Sequence, residues 1–443
     1  MKTWHDLVTA SLIGTERSVV PAVGIPGLPP AADGTGDPAA VLLDRAALLT
    51  AARRAGRRPG RAEPLPPCEP DPRPAVGPAA ARRLARLLGR EHPDLLTEWL
   101  TAVAARDLRI PSQLLPALLD RARRGWPADP GLPRLVTETG GPRATWLAGF
   151  NPDWAFAAAS GLAGDDAWRL GDVSQRRGYL ASLLATDPDA ARHLVRDGWD
   201  RAGPRDRVMF LSVLADGLGP ADEPLLEAAL GDRAEDVRRW AAYLLAALPG
   251  SALGQRMAER ALRYVRIEND AGGPRLAVTP PAECDASMRH DGIAPSPPRR
   301  VAAGRGQPSD RTRLLLEVVA RTPLRTWTER FGLTAEQVVS ARSGEWTSTL
   351  FTGWSQAAVA QRDRNWMAPL LRRAIAGLRL RTPAELEALR LLARRADPSL
   401  GAPGALPRPE LDAPPGVRGA IAVLRFRYDM LKELDDDDNH VRA

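Results

Sequence analysis

Residues 222–250 read DEPLLEAALGDRAEDVRRWAAYLLAALPG, and they are the most informative part of the chain about its fold. Apolar residues recur at helical i, i+3, i+4 spacing in two runs, 222–230 and 232–248. Pro249 and Gly250 end the second run, because proline cannot continue a helix. The pattern predicts two short helices joined by a tight turn, each with one buried face.

The same unit recurs towards the N-terminus. Asp187 and Pro188 open a helix as N-cap and first helical residue, and the next helix contains the almost continuously apolar run 208–214. A period of roughly 30 residues with paired short helices is typical of stacked helical repeats. We therefore expect an all-α fold, an α-solenoid of HEAT-like helix pairs with proline-rich loops, running through about 150–265. Residues 275–279 have strand character, so the expected fold includes a short β-hairpin, although no partner strand is evident.

Shifts in composition divide the chain into four segments. N-terminal helices and a proline-rich stretch occupy 1–78, HEAT-like repeats 79–267, a Gly/Pro/Arg-rich insertion 268–312, and a C-terminal helical region with an acidic tail 313–443. Capping boxes are predicted for Thr334 with Gln337 and for Thr382 with Glu385. A last helix is predicted over 417–434, with the four aspartates 435–438 at its fraying end, because carboxylates are unfavourable at a helix C-terminus.

Charge and cysteine content exclude several classes of protein. The 443 residues include 61 Lys+Arg and 54 Asp+Glu, for a net charge of +7, and all basic residues except Lys2 and Lys432 are arginines. Most of these arginines have acids to pair with, so the charge is a weak indication of a polyanionic partner. Two cysteines, no signal peptide and no run of about 18 apolar residues predict a cytoplasmic protein without a membrane span.

A search for catalytic and metal-binding motifs finds none. The two lysines are wrongly placed for a phosphate-binding loop, and no His-Glu-x-x-His occurs. Cys284 and His290 are the one close Cys/His pair, whereas structural zinc needs four ligands. Ser251 lies in a Gly-Ser-Ala-Leu-Gly sequence that fits a helix N-cap better than a nucleophile elbow. We expect no catalytic residues, no cofactor and no metal.

Tryptophans and arginine runs each leave two interpretations open. Tryptophans of the predicted solenoid and the later group in 327–366 either fill gaps between stacked helices or form an exposed Trp-plus-Arg surface for bases or a peptide. The basic runs 53–61 and 289–313 either contact phosphates or are solvated.

Three further motifs carry a resemblance to a known family. They are the opening Trp4-His5-Asp6-Leu7 through Leu12-Ile13-Gly14-Thr15-Glu16-Arg17, then Trp146-Leu147 with Asn151-Pro152-Asp153-Trp154, and the stretch 222–253. With them the whole chain resembles an uncharacterised family of bacterial HEAT-like helical-repeat proteins, a domain of unknown function. Its members tend to be encoded beside MoxR-type AAA+ ATPases, von Willebrand A-domain proteins and SWIM zinc-finger proteins. The resemblance implies a place in a chaperone-like or metal-insertion-like assembly and no catalytic residues.

The leading functional hypothesis is a non-enzymatic scaffold or adaptor that binds other proteins, with a MoxR-type AAA+ ATPase as one partner. The alternative is a HEAT-like nucleic-acid-binding protein or DNA repair glycosylase, and a metal-dependent hydrolase is a third class. The helix over 234–248 is expected to line the concave side of the solenoid. Its polar residues Glu235, Arg238 and Arg239 are the candidate partner contacts, unless they only pair with each other.

Overall fold

The computed structural model describes residues 2–23, 36–55, 65–89, 91–125, 131–158, 165–293, 309–378, 380, 382–407 and 413–442. Within these ranges the chain forms 21 α-helices and one two-stranded antiparallel sheet. The chain divides into two compact units, residues 1–67 and 68–443. The expectation of a helical chain with a short β-hairpin is confirmed.

The first unit contains two helices, α1 (Lys2–Ile13) and α2 (Pro38–Ala55), which pack on each other. Leu7 of α1 is buried. The guanidinium of Arg45 donates a hydrogen bond of 2.7 Å to the carbonyl of Val20, which holds the chain segment after α1 against α2.

The second unit contains the other helices and the sheet. The first group of helices is α3 (Pro78–Leu88), α4 (Leu96–Ala105), α5 (Leu115–Gly125) and α6 (Leu132–Ala148). The middle group is α7 (Asp165–Arg169), α8 (Val173–Thr186), α9 (Pro188–Gly198), α10 (Pro204–Leu214), α11 (Glu223–Ala229), α12 (Glu235–Ala246) and α13 (Ala252–Tyr264), followed by β1 (Val265–Asp270) and β2 (Gly273–Val278). The last group is α14 (Ala286–His290), α15 (Asp310–Arg321), α16 (Arg325–Phe331), α17 (Ala335–Ser340), α18 (Thr347–Ala360), α19 (Arg364–Ile375), α20 (Pro383–Arg395) and α21 (Pro415–Arg442).

Side-chain caps begin these helices where the sequence predicts them. Asp187 accepts a hydrogen bond from the backbone N–H of Ala190 at the start of α9. Thr334 and Thr382 both form complete capping boxes, at α17 and α20. Ser251 caps α13, as expected, by accepting from the Gly254 N–H at 3.1 Å. Each cap satisfies backbone donors that the first helical turn leaves unpaired.

Alternate helices of the middle group pack in sequence order. α8 contacts α10, and α10 contacts α12, while α9 and α11 lie beside their chain neighbours α8 and α12. Beyond the sheet the contacts continue from α13 to α15, then to α18, α20 and α21. Val237 and Leu244 of α12 are buried in this core, as predicted.

Ion pairs join successive layers of the middle group at nearly constant sequence separation. The pairs are Arg176–Asp206 at 3.3 Å, Arg192–Asp222 at 2.7 Å, Arg207–Asp232 at 2.6 Å and Arg256–Glu227 at 3.1 Å. Their partners lie 30, 30, 25 and 29 residues apart. We call this set the Arg–acid ladder. Because Asp222 and Asp232 are almost fully buried, two of these pairs are inside the protein.

The C-terminal helix α21 lies in two hydrophobic cores. Its first half packs against the core that contains α18 and α20, through Val417 and Leu424. Its second half packs against α3 and α4, through Phe426, Met430 and Leu434. The last helix of the chain therefore covers the first helices of this unit.

The predicted end of the last helix at residue 434 was wrong. α21 continues through the four aspartates to Arg442. Asp435 is neutralised by Arg106, whose guanidinium nitrogen lies 2.5 Å from the carboxylate. A cation from the residue that follows α4, distant in sequence, thus offsets one of the clustered carboxylates inside α21.

The hairpin pairs β1 with β2, with Glu268 opposite Arg275. The backbone N–H of Leu276 also donates to the carbonyl of Arg342 at 2.8 Å, so a third segment borders the hairpin. The predicted segment boundary at 267/268 falls inside β1, and the 268–312 insertion contains β2 and α14. The part of the insertion over 294–308, and most of the basic run 53–61, lie outside the described residues.

Three tryptophans of the 327–366 group form part of the core. Trp327, Trp354 and Trp366 are almost completely buried, with ring centroids 6.0 Å and 5.8 Å apart in sequence order. The interpretation that these tryptophans fill space between helices is confirmed. Trp346 and Trp240 remain partly exposed.

Candidate protein-binding surface

Helix α12 carries all three predicted partner contacts. Asp232 accepts a hydrogen bond of 2.8 Å from the Ala234 N–H just before the helix, and Glu235 and Asp236 place negative charge in its first turn. Val237 lies on the opposite, buried face. The helix is thus stabilised at its N-terminus and anchored by its apolar side.

The structure separates the two predicted arginines. Arg239 donates to Glu235 at 2.6 Å and to Asp236 at 3.1 Å, and its side chain is 43% exposed. Arg238 instead turns back and donates to the carbonyls of Asp232 and Arg233 at 2.8 and 2.9 Å. Arg239 and Glu235 are therefore at the surface as a pair, while the Arg238 guanidinium is used to hold the turn before α12.

An exposed tyrosine lies beside this ion pair. The side chain of Tyr243 is 54% exposed. Among the described residues that follow Val173, no other large apolar side chain is exposed. Its ring meets Trp240 edge to face, with centroids 5.8 Å apart. Trp240 in turn packs against the hydrophobic core that contains Val237 and Leu244, so it connects the Tyr243 ring to that core.

We call the surface formed by Glu235, Asp236, Arg239, Trp240 and Tyr243 the α12 face. Tyr243 was not among the residues predicted from the sequence, although its position contains a usable signal. Tyr243 follows Arg239 by four residues and Glu235 by eight, and residues at these spacings share one side of a helix.

The α12 face combines aromatic surface with mixed charge. Two carboxylates, Glu235 and Asp236, surround the single guanidinium of Arg239. The formal charge of the α12 face is therefore −1 at neutral pH. A phosphate backbone would be repelled by such a surface, whereas a protein with a mixed-charge surface would not.

Contacts on both sides hold α12 in place. Arg207 pairs with Asp232 at the start of the helix and also donates to the Trp199 carbonyl at 3.0 Å. Along its length, α12 also packs against its chain neighbours α11 and α13. A surface on an element fixed in this way loses little conformational freedom when a partner binds.

Cys284, the cysteine of the one close Cys/His pair in the sequence, is a partly buried thiol. Burial raises the pKa of the Cys284 thiol, which lowers its thiolate fraction at neutral pH. The thiol lies 3.5 Å from the Ile293 carbonyl. In the described part of the chain, no group of three or more His, Cys, Asp or Glu side chains could hold a metal ion. The expected lack of metal, cofactor and catalytic residues stays a prediction.

No helix among the described residues is both long enough and apolar enough to cross a bilayer.

The chain is similar to a family of proteins whose function is unknown. The family model that matches is described as a family of unknown function (DUF5691), and it covers residues 6–402. No curated protein and no solved structure matches the chain. The expected resemblance to a family of unknown function is confirmed, and the gene neighbourhood that the resemblance implies stays a prediction.

Proposed function

We propose that this chain, which belongs to the DUF5691 family, is a non-enzymatic helical-repeat scaffold that binds another protein through the α12 face. One observation carries the proposal. On a helix fixed from both sides, the exposed ring of Tyr243 lies on a core-anchored tryptophan and next to an ion-paired arginine.

The residue types of the α12 face support a protein partner. Trp, Tyr and Arg are the residues that most often dominate the binding energy of protein interfaces. Here Arg239 is already oriented by two carboxylates, and Tyr243 by Trp240. Such preorganisation reduces the entropy lost on association.

The order of helix contacts supports a repeat architecture. α8, α10 and α12 contact one another in sequence, and the Arg–acid ladder joins residues 25 to 30 positions apart. Contacts between successive layers, as within α8–α13, are typical of stacked helix pairs of the HEAT type, and α12 also contacts α15 and α18 beyond the hairpin. We therefore extend the proposal to a HEAT-like stack over α8–α13.

The charge of the α12 face favours a protein over nucleic acid. A surface that binds a phosphate backbone needs unpaired cations, and counterion release from them supplies the affinity. On this face the guanidinium of Arg239 is paired with Glu235 and Asp236. The nucleic-acid and glycosylase alternatives gain no support from these contacts.

A MoxR-type AAA+ ATPase is the first partner to test, because the family that the chain resembles tends to be encoded beside such ATPases. The low cysteine content fits a reducing compartment, and we propose a cytoplasmic location for the protein.

The experiment compares recovery of the partner by the native chain and by variants. The native chain and the variants Tyr243→Ser and Arg239→Glu are each immobilised. Each is then exposed to a purified MoxR-type AAA+ ATPase and, separately, to cell lysate whose bound proteins are identified by mass spectrometry. We expect each variant to weaken binding by at least about tenfold, which corresponds to about 1.4 kcal/mol. The weakening by Arg239→Glu should decrease as salt screens the contact.

Matched controls use exposed residues on other helices. Leu170→Ser removes an apolar side chain that is 76% exposed, and Arg390→Glu reverses the arginine of an exposed ion pair with Glu387. Both should bind like the native chain. Circular dichroism must show an unchanged helix content in all four variants. Undiminished recovery by Tyr243→Ser and Arg239→Glu would reject the α12 face while leaving a scaffold role open.

A further inference from the structure

The hairpin of β1 and β2 has one covered edge and one open edge. On the β2 side, the N–H of Leu276 donates to the Arg342 carbonyl at 2.8 Å, and the N–H of Arg342 donates to the Pro274 carbonyl at 3.3 Å. On the β1 side, no described residue forms a backbone hydrogen bond with the outer edge at Ile267 or Asn269. Ile267 is half-buried and Asn269 is exposed, so solvent reaches this edge.

A hydrogen bond at the base of the hairpin shows which backbone groups of β1 point outward. The N–H of Thr279 donates to the Tyr264 carbonyl at 2.8 Å. Hydrogen-bonded and non-hydrogen-bonded pairs alternate along an antiparallel ladder. Arg266 and Glu268 therefore bond across to β2, whereas residues 265, 267 and 269 direct their backbone groups away from it.

The opposite strand agrees with this assignment. Leu276 is the partner of Ile267 in the ladder, and its N–H donates to the third segment and not to β1. The N–H of Val265 is already used, because it donates to the Ala261 carbonyl at the end of α13. The open groups of the edge are therefore the Val265 carbonyl and the N–H and carbonyl of both Ile267 and Asn269.

The solvent side of β1 has a cation and an anion on either side of Ile267. Arg266 and Glu268 share this face, because side chains two residues apart in a strand point the same way, and both are exposed. In the described ranges of the chain, neither side chain forms a hydrogen bond or an ion pair. Arg275 lies across the hairpin from Glu268, but the two do not form an ion pair. Both charges are thus available to a partner.

The order of these charges is complementary to itself. When two copies of β1 lie antiparallel about a two-fold axis at Ile267, Arg266 of each copy is opposite Glu268 of the other. These are non-hydrogen-bonded pairs, in which opposite Cβ atoms approach to about 4.5–5.5 Å. A two-fold contact uses the same surface patch on both copies, so both ion pairs form together.

Charge also distinguishes this register from its alternatives. An axis at Arg266 or at Glu268 would place identical charges opposite each other. Parallel pairing in register would place each charge beside its own copy. Like charges in such positions are destabilising. The arrangement of the two charges around Ile267 therefore favours the antiparallel, two-fold contact.

We propose that the outer edge of β1 is a dimerisation surface, on which a second copy of this chain adds its own β1 and continues the antiparallel sheet. Ile267 exchanges both of its backbone hydrogen bonds with Ile267 of the second copy. In each direction, the N–H of Asn269 donates to the Val265 carbonyl of the other copy. An exposed strand edge is a template for pairing with another chain, and the charges on this one select an identical chain.

The test measures the mass of the full chain in solution by sedimentation velocity. A single pair of strands is a small interface, so the dimer should be weak, and the protein is measured from about 1 to 500 μM. We expect a reversible rise from the monomer mass towards twice that mass as the concentration increases.

Charge reversals test the contact and its register. Arg266→Glu gives a strand with two acids, and Glu268→Arg gives a strand with two arginines. Each variant alone should dimerise at least about tenfold more weakly than the native chain, because like charges then lie opposite each other. An equal mixture of the two should dimerise again, and so should the double variant. Arg390→Glu, the control on α20, should behave like the native chain.

A backbone variant tests the hydrogen bonds separately from the charges. Asn269→Pro removes an N–H that points away from β2, so the hairpin keeps its own ladder while the second copy loses an acceptor's partner in each direction. We expect dimerisation to weaken at least about tenfold. Circular dichroism must show native helix content in every variant. If the proline variant does not fold, the charge reversals decide the result.

Three outcomes would overturn the proposal. A native chain that stays monomeric over the whole concentration range would leave the edge of β1 without a second copy. A dimer that is equally strong in Arg266→Glu and Glu268→Arg would place the contact elsewhere. Folded single variants that fail to associate when mixed, although the native chain dimerises, would contradict the antiparallel register at Ile267.

Discussion

Arg427 and Glu98, which are 329 residues apart in sequence, form a bidentate ion pair. The Arg427 Nε–H donates to one carboxylate oxygen at 2.8 Å and the Nη2–H to the other at 2.7 Å. The remaining Nη1 donates to the carbonyls of Ala393 and Ala396 at 2.9 and 2.8 Å. One guanidinium therefore connects α4, the end of α20 and α21.

Replacing Arg427 by methionine should destabilise the second unit by about 3 kcal/mol. The variant keeps the volume of the side chain but leaves the carboxylate of Glu98 without its partner. The expected loss is at the lower end for a buried pair, because Glu98 is 29% exposed and water reaches it. Urea denaturation followed by circular dichroism measures the change.

Arg390→Met is the matched control for Arg427→Met. Its ion pair with Glu387 is more than half exposed on both sides, so the expected change is about 0–1 kcal/mol. Equal urea midpoints for the two variants would show that α21 is not held by Arg427.

Two glycine-to-alanine substitutions should have opposite effects. Alanine at either position gains about 1 kcal/mol of helix propensity. At Gly353, however, the new Cβ would lie 2.6 Å from Val319 Cγ1, and such overpacking costs about 1–3 kcal/mol. At Gly419 no atom lies within 4 Å of the new Cβ, so only the gain remains.

Thermal unfolding of both variants tests how closely α15 and α18 pack. We expect Gly353→Ala to lower the Tm and Gly419→Ala to raise it. A raised Tm for Gly353→Ala would mean that the contact with Val319 relaxes without cost.

The stabilising effect of Asp71 should depend on pH. Its hydrogen bonds to the guanidinium of Arg73, at 2.7 and 2.9 Å, hold the pKa of the Asp71 carboxyl below its usual range. A lowered pKa in the folded state means that the ionised carboxylate stabilises the fold above the unfolded pKa of about 3.9. The contribution is lost as the pH falls through the folded value.

Asp71→Asn should therefore be less stable than the native chain at pH 7, and the two should converge in acid. Urea titrations at pH 7 and at several values below pH 4 measure the difference. A difference that is the same at all pH values would attribute the effect of the substitution to geometry instead of charge.

The buried side of α12 should be sensitive to truncation. Leu244 is 2% exposed, and replacing a buried leucine by alanine costs about 2–5 kcal/mol. Tyr243→Ser, one residue earlier on the exposed side, should change stability by only about 0.5 kcal/mol. If the urea midpoints of the two variants coincided, the assignment of the two faces of α12 would be wrong.

Local features of the fold were predictable because they depend on residues a few positions apart. The caps at Asp187 and Thr382 need only side chains and N–H groups within one helical turn. The Glu235–Arg239 pair is likewise an i, i+4 contact. The sequence indicated the second strand of the hairpin but not the first. The first strand, β1, directly follows α13, and no turn residue separates the two.

In the candidate site too, some features were predictable from the sequence and others were not. Arg238 and Arg239 are neighbours in sequence and look equivalent there. In the structure the Arg238 guanidinium donates to the carbonyls of Asp232 and Arg233, while Arg239 remains at the surface. Helical periodicity places Tyr243 on the same side of α12 as Glu235 and Arg239, whereas the contact of its ring with Trp240 depends on how Trp240 packs against the core.

The helical class of the chain, the start of many of its helices and the buried side of α12 were all predictable from the sequence. These properties follow from backbone hydrogen bonding and side-chain periodicity within about ten residues. The packing of α21 against α3 and α4, and the pairing of Arg427 in α21 with Glu98 in α4, became evident only from the three-dimensional structure. Such contacts depend on how the surfaces of distant helices fit together, and an amphipathic pattern indicates that a helix face is buried without specifying its partner.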